Sequence, residues 1–327
     1  MLEAKGITKT YTVKQKAGLL RSKKQPVHAV KGIDLTIHPG EIVGLLGLNG
    51  AGKTTTIKML STLLTPSSGT ISIDGYDVVQ NAKYLKQKVN MIAGGERMLY
   101  FRLTGKENLD YFGRLYGLKG KQLASRVNIL LNQVELENAK DMPVERYSKG
   151  MKQRLQIARG LLNEPKYLFL DEPTLGLDAP IARQLRSTVR NLAKQEHKGI
   201  LLTSHYLEEV EELCDRVYII DKGEVIMHDS PARIVGQIVT DYRVVVSTTI
   251  LPDEMQQRMF YTASNKQVQL AFELTEEGSR CEAVASFDPT QVVIDLFITN
   301  NLPILKMEMK LPKLEDAILQ LAKERSA

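Results

Sequence analysis

The chain reads GLNGAGKTT from Gly47 to Thr55, between a strand-like run and a helix-like run. The apolar run before it begins at Ile42, and the run after it extends from Lys53 to Leu64. A strand, a glycine-rich loop and a helix in this order form the context that the phosphate-binding P-loop requires. The glycines let backbone N–H groups turn inward, where they and the helix N-terminus bind an anion. This stretch therefore predicts a phosphate site.

The side chains of this loop have separate predicted roles. The Lys53 ammonium would reach the β- and γ-phosphates of a nucleotide, and the Thr54 hydroxyl would ligate Mg²⁺. The residues predicted to contact the nucleotide are Gly47, Asn49, Gly50, Gly52, Lys53, Thr54 and Thr55. The alternative is a glycine turn that binds nothing. A second motif downstream argues against that alternative.

The second motif is LFLDEPTLGLD, which runs from Leu168 to Asp178. Its apolar residues lead into two adjacent carboxylates, Asp171 and Glu172, which point in different directions because side chains alternate along a strand. Phosphoryl transfer needs one group that holds a metal and another that positions the nucleophile. A turn through Pro173 and Gly176 then presents Asp178. The two motifs together predict a phosphoryl-transfer enzyme.

Together these residues resemble the ATP-binding subunit of an ABC transporter, from about residue 1 to about residue 236. The resemblance implies a P-loop NTPase fold with ATP and Mg²⁺ as cofactors. It further implies that Asp171 helps to hold Mg²⁺ and that Glu172 is the catalytic base. The segment Leu175–Asp178 resembles the D-loop, which crosses between subunits, so Asp178 is expected at the nucleotide.

Three more sites of resemblance each have a simpler interpretation. His205 resembles the switch histidine that touches the γ-phosphate, although a histidine at a strand end is often only structural. Tyr11 resembles the aromatic residue that stacks on adenine, although it also fits an ordinary edge strand. The stretch YSKGM, Tyr147–Met151, resembles the signature motif, although its Lys149 and Met151 replace the usual glycine and glutamine. Its Ser148 could instead cap the following helix.

The resemblance implies that two copies pair head to tail as a homodimer. Ser148 and Gly150 of one copy would then close on the ATP held by the P-loop of the other. Lys53, Glu172 and His205 are the expected catalytic residues. One position departs from the family pattern, because Gly95 stands where a glutamine usually contacts Mg²⁺ and the attacking water. Either Glu96 replaces that contact or the contact is absent, and Gly95→Gln is expected to leave the ATPase nearly unchanged.

The order of strand-like and helix-like runs predicts an α/β protein. Alternation of the two in the core indicates a mostly parallel sheet covered on both faces. We expect the ATP-binding domain to span residues 1–236, with an antiparallel β subdomain near its start and a helical subdomain at about 81–163. Residues 241–327 are expected to form a small α+β domain, either as a stabilising and dimer-contacting unit or with a further role. Its end, LPKLEDAILQLA, resembles the subunits of drug exporters.

Positive charge is concentrated near the start of the chain. Residues 4–33 hold eight basic residues and no acid, whereas the whole chain has a net charge of +6. This local charge does not indicate a nucleic-acid partner. Residues 12–26 are predicted to form an insertion between two strands, as a solvated loop or as a contact with anionic lipid or the permease surface. The residues of that contact would be Lys14, Lys16, Arg21, Lys23 and Lys24.

The sequence gives no sign of a membrane span of its own. Its first residues lack an apolar signal core, and no run approaches 18 apolar residues. The two cysteines are far apart and match no metal-site spacing, which fits a reducing compartment. We therefore expect a cytoplasmic protein, peripheral at the inner face of the membrane, that works with a separate integral-membrane permease.

The function most consistent with these features is ATP hydrolysis that energises export. Three other functions remain open from the sequence: an importer subunit, a regulatory module that binds ATP without hydrolysing it, and a non-transport ABC ATPase acting on DNA or the ribosome. The last usually has coiled coils, metal-binding cysteines or tandem nucleotide domains, none of which the sequence contains. A steady-state ATPase assay would separate the regulatory module from the enzyme.

Overall fold

The computed structural model describes residues 1–16, 22–93, 99–239 and 241–324 of the 327-residue chain. The chain divides into two compact units, Met1–Pro231 and Ala232–Ala327. This division lies before residue 236, the predicted end of the ATP-binding domain. No helix in the described ranges combines the length and the apolar character needed to cross a bilayer.

The first unit contains both β-sheets that build the predicted site. Its strands are β1 (Leu2–Lys16), β2 (Ser22–Ile37), β3 (Ile42–Leu46), β4 (Ser68–Ile73), β5 (Tyr76–Asp77), β6 (Val89–Ala93), β7 (Tyr167–Asp171), β8 (Gly199–Thr203), β9 (Arg216–Asp221) and β10 (Glu224–Asp229). Its helices are α1 (Lys53–Leu60), α2 (Ala82–Leu85), α3 (Gly105–Leu115), α4 (Gly120–Gln133), α5 (Lys149–Gly160), α6 (Ala179–Lys194) and α7 (Leu207–Leu213), with 3-10 helices at Glu137–Ala139 and Val144–Arg146.

A six-stranded sheet in the order β10-β9-β3-β8-β7-β6 forms the centre of this unit. All neighbours in it run parallel except β10, which pairs antiparallel with β9 at one edge. Both β3 and β8 are buried along their whole length, as expected for parallel strands covered on both faces. Because β3 and β7 flank β8, the loops that follow these three strands meet at one edge of the sheet. This edge is where α/β sheets bind ligands.

A second, antiparallel sheet has the order β2-β1-β4-β5. The predicted insertion at residues 12–26 is wrong at its ends, because both strands continue into it and Thr12 pairs with Pro26. The β-branched residues Thr12 and Val13 favour extended pairing, while the many lysines of the segment gave it the composition of a loop. Residues 17–21 lie outside the described ranges. Side chains from both sheets and α1 share one core that includes Leu2, Ile57 and Phe169.

The region 81–163 contains α2 to α5 and also β6, which is an edge strand of the six-stranded sheet. The first turn of α3 has a capping box, in which the Thr104 hydroxyl accepts from the Glu107 backbone N–H and the Glu107 carboxylate accepts from that of Thr104. Such a box satisfies donors that a helix N-terminus leaves open. Helix α3 therefore has a locally well-defined start.

The second unit confirms the predicted α+β class. Its elements are α8 (Pro231–Ile238), β11 (Tyr242–Thr248), α9 (Asp253–Ser264), β12 (Gln269–Thr275), β13 (Gly278–Ala285), α10 (Thr290–Thr299), β14 (Lys306–Lys310) and α11 (Leu314–Glu324). The strands form an antiparallel sheet in the order β12-β13-β11-β14. Its core contains Val244, Val246, Met259, Cys281 and Phe297.

Candidate nucleotide site

The loop between β3 and α1 has the backbone conformation that the P-loop pattern predicts. Gly52, directly before α1, has a φ of 105°. A Cβ atom at Gly52 would lie 2.5 Å from the carbonyl oxygen of Ala29, and one at Gly47 would lie 2.2 Å from that of Ile220. Both positions therefore require glycine for space as well as for conformation. Asn49 and Gly50 are exposed on the loop, and Thr54 is exposed in the first turn of α1.

The Lys53 side chain lies back along this loop. Its ammonium donates to the carbonyl oxygens of Gly47, at 2.6 Å, and Leu48, at 3.2 Å. Burial lowers the pKa of Lys53, while the carboxylates of Glu172 and Asp171 act in the opposite direction. The negative charges of both carboxylates thus act on the lysine ammonium. Its two bonds to carbonyls are ones that phosphate oxygens could replace.

Asp171 and Glu172 are both tied to Thr203, which is fully buried at the end of the neighbouring strand β8. The Thr203 hydroxyl donates to Asp171 Oδ1 at 2.7 Å. The Glu172 backbone N–H donates to the Thr203 carbonyl at 3.1 Å. Glu172 has a φ of 54°, in the left-handed region that non-glycine residues seldom adopt. Strain of this kind costs about 1–3 kcal/mol and persists where the surroundings fix it.

His205 contacts the predicted catalytic base directly. Its Nε2 lies 2.8 Å from Oε1 of Glu172. Both side chains face solvent in part, with 46% of His205 and 26% of Glu172 exposed. The two residues predicted to act on the γ-phosphate and on water are therefore together, and a phosphate could approach them from outside.

Tyr11 lies on β1 beside the start of α1. Its hydroxyl is 3.5 Å from the hydroxyl of Thr55, which belongs to the P-loop motif. The Lys9 ammonium lies 5.9 Å from the centre of the Tyr11 ring, and 37% of the tyrosine is exposed. The structure thus places an accessible aromatic ring at the border of the predicted phosphate site.

The signature stretch lies at the N-terminus of α5. Ser148 is the N-cap, and its hydroxyl accepts a hydrogen bond from the backbone N–H of Met151 at 3.2 Å. The capping interpretation is therefore confirmed, and a capped helix N-terminus also suits a phosphate. Among the described residues, no hydrogen bond joins Ser148 or Gly150 to the P-loop of the same chain. Asp178 is exposed and occupies the N-cap position of α6, without a capping hydrogen bond from its side chain.

Two residues near the site are absent from the sequence prediction. Thr203 forms hydrogen bonds with both Asp171 and Glu172. The one sequence signal for this role is its position at the end of a buried apolar run. Glu209 on α7 is buried and accepts hydrogen bonds from Thr174 and Ser204. Its inward direction could have been inferred from the helical spacing of Glu209, Val210 and Leu213, all of which are buried.

Some predicted residues lie outside the described ranges. Gly95, at the position of the family glutamine, falls in the gap at 94–98 together with Glu96. Arg21 falls in the gap at 17–21, and the side chains of Lys14, Lys16 and Lys23 are likewise outside what the structure describes. Of the five predicted lipid-contacting residues this leaves Lys24, which is exposed on β2.

The chain is similar to known proteins in sequence and in fold. The family model described as "ABC transporter" matches residues 30–175. The ABC transporter ATP-binding protein NatA of Bacillus subtilis is 46% identical over 206 residues, which cover 63% of this chain and 83% of that protein. The Nod factor export ATP-binding protein I of Burkholderia lata is 43% identical over 202 residues, covering 62% of this chain and 66% of that protein.

A solved structure is similar in fold. It is the dimeric, post-hydrolysis structure of the ATP-binding cassette MJ0796 bound to ADP and Pi, with a TM-score of 0.61 and 24% identity. The similarity covers 70% of this chain and 98% of that chain. At this level of identity the comparison concerns the fold, and it confirms the predicted P-loop NTPase class.

Proposed function

This chain belongs to the ABC transporter family as an ATP-binding and ATP-hydrolysing export subunit, and we propose that the residues gathered around Lys53 carry out the hydrolysis. The observation that carries this assignment is the contact of 2.8 Å between Glu172 and His205 at the same sheet edge as the P-loop. A base for water and a donor for the γ-phosphate must stand next to each other, because both act on one reacting centre. The named residues meet this requirement.

We infer that ATP lies with its phosphates in the loop from Gly47 to Thr55. The backbone N–H groups of the loop and of the first turn of α1 would donate to the phosphate oxygens, with the Lys53 ammonium exchanging its carbonyl partners for them. Tyr11, at the border of the site, would stack on the adenine ring. Apart from Tyr11 on β1, binding in this way uses only residues of the loop and of the first turn of α1.

The oxygen donors near Lys53 also fit Mg²⁺. This ion prefers oxygen ligands and usually keeps several waters. Thr54 is exposed at the start of α1, and Asp171 keeps its Oδ2 atom without a hydrogen bond in the described residues. These two residues are the proposed ligands, Asp171 acting through water. When bound, the ion would supply positive charge that neutralises the phosphate oxygens.

Hydrolysis then depends on three side chains of this chain. Glu172 would accept a proton or hydrogen bond from the attacking water, because its carboxylate is partly open to solvent. His205 would orient that carboxylate and donate to the γ-phosphate. The bonds of Thr203 keep Asp171 and Glu172 pointing in their separate directions, so that one serves the ion and the other serves the water.

We propose that the site is completed by a second copy. Ser148 and Gly150, which make no hydrogen bond to the P-loop of their own chain in the described residues, would close on the ATP held by the partner copy. Asp178, exposed at the start of α6, would contact the same nucleotide. Support comes from the capped N-terminus of α5, which offers N–H groups to an anion. The related cassette of known structure is a dimer.

The proposed setting is the inner face of the membrane, beside an integral-membrane permease. The chain is similar to an ATP-binding protein of Nod factor export, which supports the outward direction of transport. The basic segment from residue 14 to residue 24 would add contact with anionic lipid through Lys14, Lys16, Arg21, Lys23 and Lys24, each worth about 1 kcal/mol near such a surface. Replacing all five by glutamine should weaken binding to anionic vesicles and leave nucleotide binding unchanged.

The variant Glu172→Gln tests the assignment of the base. We expect it to bind ATP normally and to accumulate an ATP-bound dimer, because the P-loop and signature residues are intact. Its turnover should fall by about 10²–10⁴-fold, the usual contribution of a general base. Steady-state ATPase assays and size-exclusion chromatography with ATP measure these effects. Normal turnover in this variant would show that another group activates the water.

A further inference from the structure

Glu209 is a buried carboxylate that has no part in the proposed hydrolysis. It lies on α7, four residues after His205, and only 3% of it is exposed. Within the described residues it is the one acidic side chain that is fully buried. A buried carboxyl group costs free energy unless its surroundings bind it. The contacts of Glu209 must therefore offset the cost of its burial.

The contacts of Glu209 join two segments that carry catalytic residues. Its Oε2 atom accepts a hydrogen bond from the Thr174 hydroxyl at 2.8 Å and another from the Ser204 hydroxyl at 2.5 Å. Thr174 follows Glu172 by two residues, and Ser204 directly precedes His205. One oxygen atom thus connects the turn after β7 with the loop after β8.

The free energy of burying Glu209 indicates that its hydrogen bonds fix the positions of two segments more than they stabilise the fold. Burial raises the pKa of Glu209, while hydrogen bonds from Ser204 and Thr174 and the charge of Arg186 act against that rise. Its second oxygen, Oε1, has no hydrogen-bond partner in the described residues. A buried and partly unsatisfied carboxyl group stabilises a fold less than a well-packed apolar side chain would.

A cavity lies beside Glu209, and for this reason the turn after β7 depends on the hydrogen bond from Thr174 to Glu209. The cavity has a volume of about 340 Å³ and is lined by Thr174, Leu177 and Tyr206 besides Glu209. The segment that begins at Thr174 is therefore not held by close packing on that side. Without the Thr174 bond to Glu209, this segment could shift toward the cavity and move Glu172 with it.

We propose that Glu209 is a positioning residue that maintains the contact between Glu172 and His205 by binding Thr174 and Ser204 together. The inference rests on the proposed roles of Glu172 and His205. Glu209 itself touches neither the nucleotide loop nor the reacting atoms. Its removal should therefore slow hydrolysis without weakening ATP binding.

The test compares Glu209→Ala with Glu209→Gln, using as the matched control Glu208→Ala, which removes an exposed glutamate of the same helix that also lines the cavity. We expect Glu209→Ala to lower kcat about tenfold or more with an unchanged KM for ATP, since small misplacements near a reacting centre have effects of this size. Glu209→Gln keeps an acceptor oxygen for both hydroxyls and should retain most of kcat. Glu208→Ala should behave as the original chain does.

A second pair of substitutions covers the case in which Glu209→Ala does not fold. Thr174→Val with Ser204→Ala removes both donors and leaves the carboxyl in place, and this double variant should show the same loss of kcat at unchanged KM. A folded Glu209→Ala or double variant with full kcat would overturn the inference, as would an equal loss in Glu208→Ala. An original chain without ATPase, or an active Glu172→Gln, would instead overturn the proposed function.

Discussion

A single hydroxyl group, that of Thr203, holds the two acids of the site in separate directions. It donates to Asp171 Oδ1, while the Glu172 N–H lies 3.1 Å from its oxygen and 3.1 Å from the Thr203 carbonyl. Sequence motifs predicted roles for Asp171, Glu172 and Lys53, because each motif consists of residues that are neighbours in the sequence. Thr203 and Glu209 could not be identified in that way, because their partners depend on which strands lie side by side. Asp171 pairs with Thr203 only because β7 and β8 are adjacent.

The variant Thr203→Val tests the role of this hydroxyl. Valine has a similar shape but no donor, so the Asp171 carboxylate would lose its bond inside a buried region. We expect the free energy of unfolding to fall by about 1–3 kcal/mol, the cost of an unsatisfied buried group. The Mg²⁺ concentration needed for half-maximal ATPase should rise as well. Thr203→Ser, which restores the hydroxyl, is the control, and an equal rise in Mg²⁺ requirement for both variants would contradict the assignment.

The strands and helices of the first unit were predictable where the pattern of buried residues follows directly from the pattern of apolar residues in the sequence. The prediction of β3 at Ile42–Leu46 is confirmed in full, because a strand buried on both faces is a continuous apolar run. The predicted helix Lys53–Leu64 ends earlier, at Leu60, and Thr62 has a left-handed φ of 62°. No glycine or proline marks that end. In the second unit α9 was missed because its sequence, DEMQQRMFYTAS, has a weak apolar period.

Ser148 has an observed capping role in helix α5 and a proposed role at the nucleotide, and substitutions can separate the two. The Ser148 hydroxyl caps the helix, and we propose that it also contacts the nucleotide of the partner copy. Replacing an N-cap serine by alanine costs about 1 kcal/mol, whereas glycine costs only a few tenths. We therefore expect Ser148→Ala to lower both the unfolding midpoint and the ATPase rate, and Ser148→Gly to lower mainly the ATPase rate. Thermal unfolding and steady-state ATPase measure the two effects.

The outcome for Ser148→Gly decides between the two roles. A stable variant with low turnover means that the hydroxyl acts on the nucleotide. A stable variant with normal turnover and normal ATP-driven dimerisation would mean that capping is its whole function. Glycine at this position is suitable for the purpose because the N-cap has an extended backbone, with φ −61° and ψ 163°, which glycine adopts without strain.

The proposed head-to-tail dimer leads to a prediction that concerns the whole molecule. Lys53→Ala loses the phosphate-binding ammonium, and Ser148→Gly loses the proposed contact with the partner's ATP, so each homodimer should have two defective sites. In a heterodimer of the two variants, one site combines both defects. The other site combines the intact P-loop of the Ser148→Gly chain with the intact Ser148 of the Lys53→Ala chain. Co-expression should therefore restore ATPase that neither variant has alone.

The size of this rescue follows from the symmetry of the pair. If the two chains associate at random, about half of the dimers are heterodimers with one good site, which gives about a quarter of the original number of sites. Two different affinity tags allow the heterodimer to be purified and its ATPase measured per dimer. A heterodimer of Lys53→Ala with Glu172→Gln is the control, because both defects lie in the P-loop half of the site and no intact site results. No rescue with Ser148→Gly would mean that each site is built from one chain, whereas rescue in the control would mean that Lys53 and Glu172 of one site come from different chains.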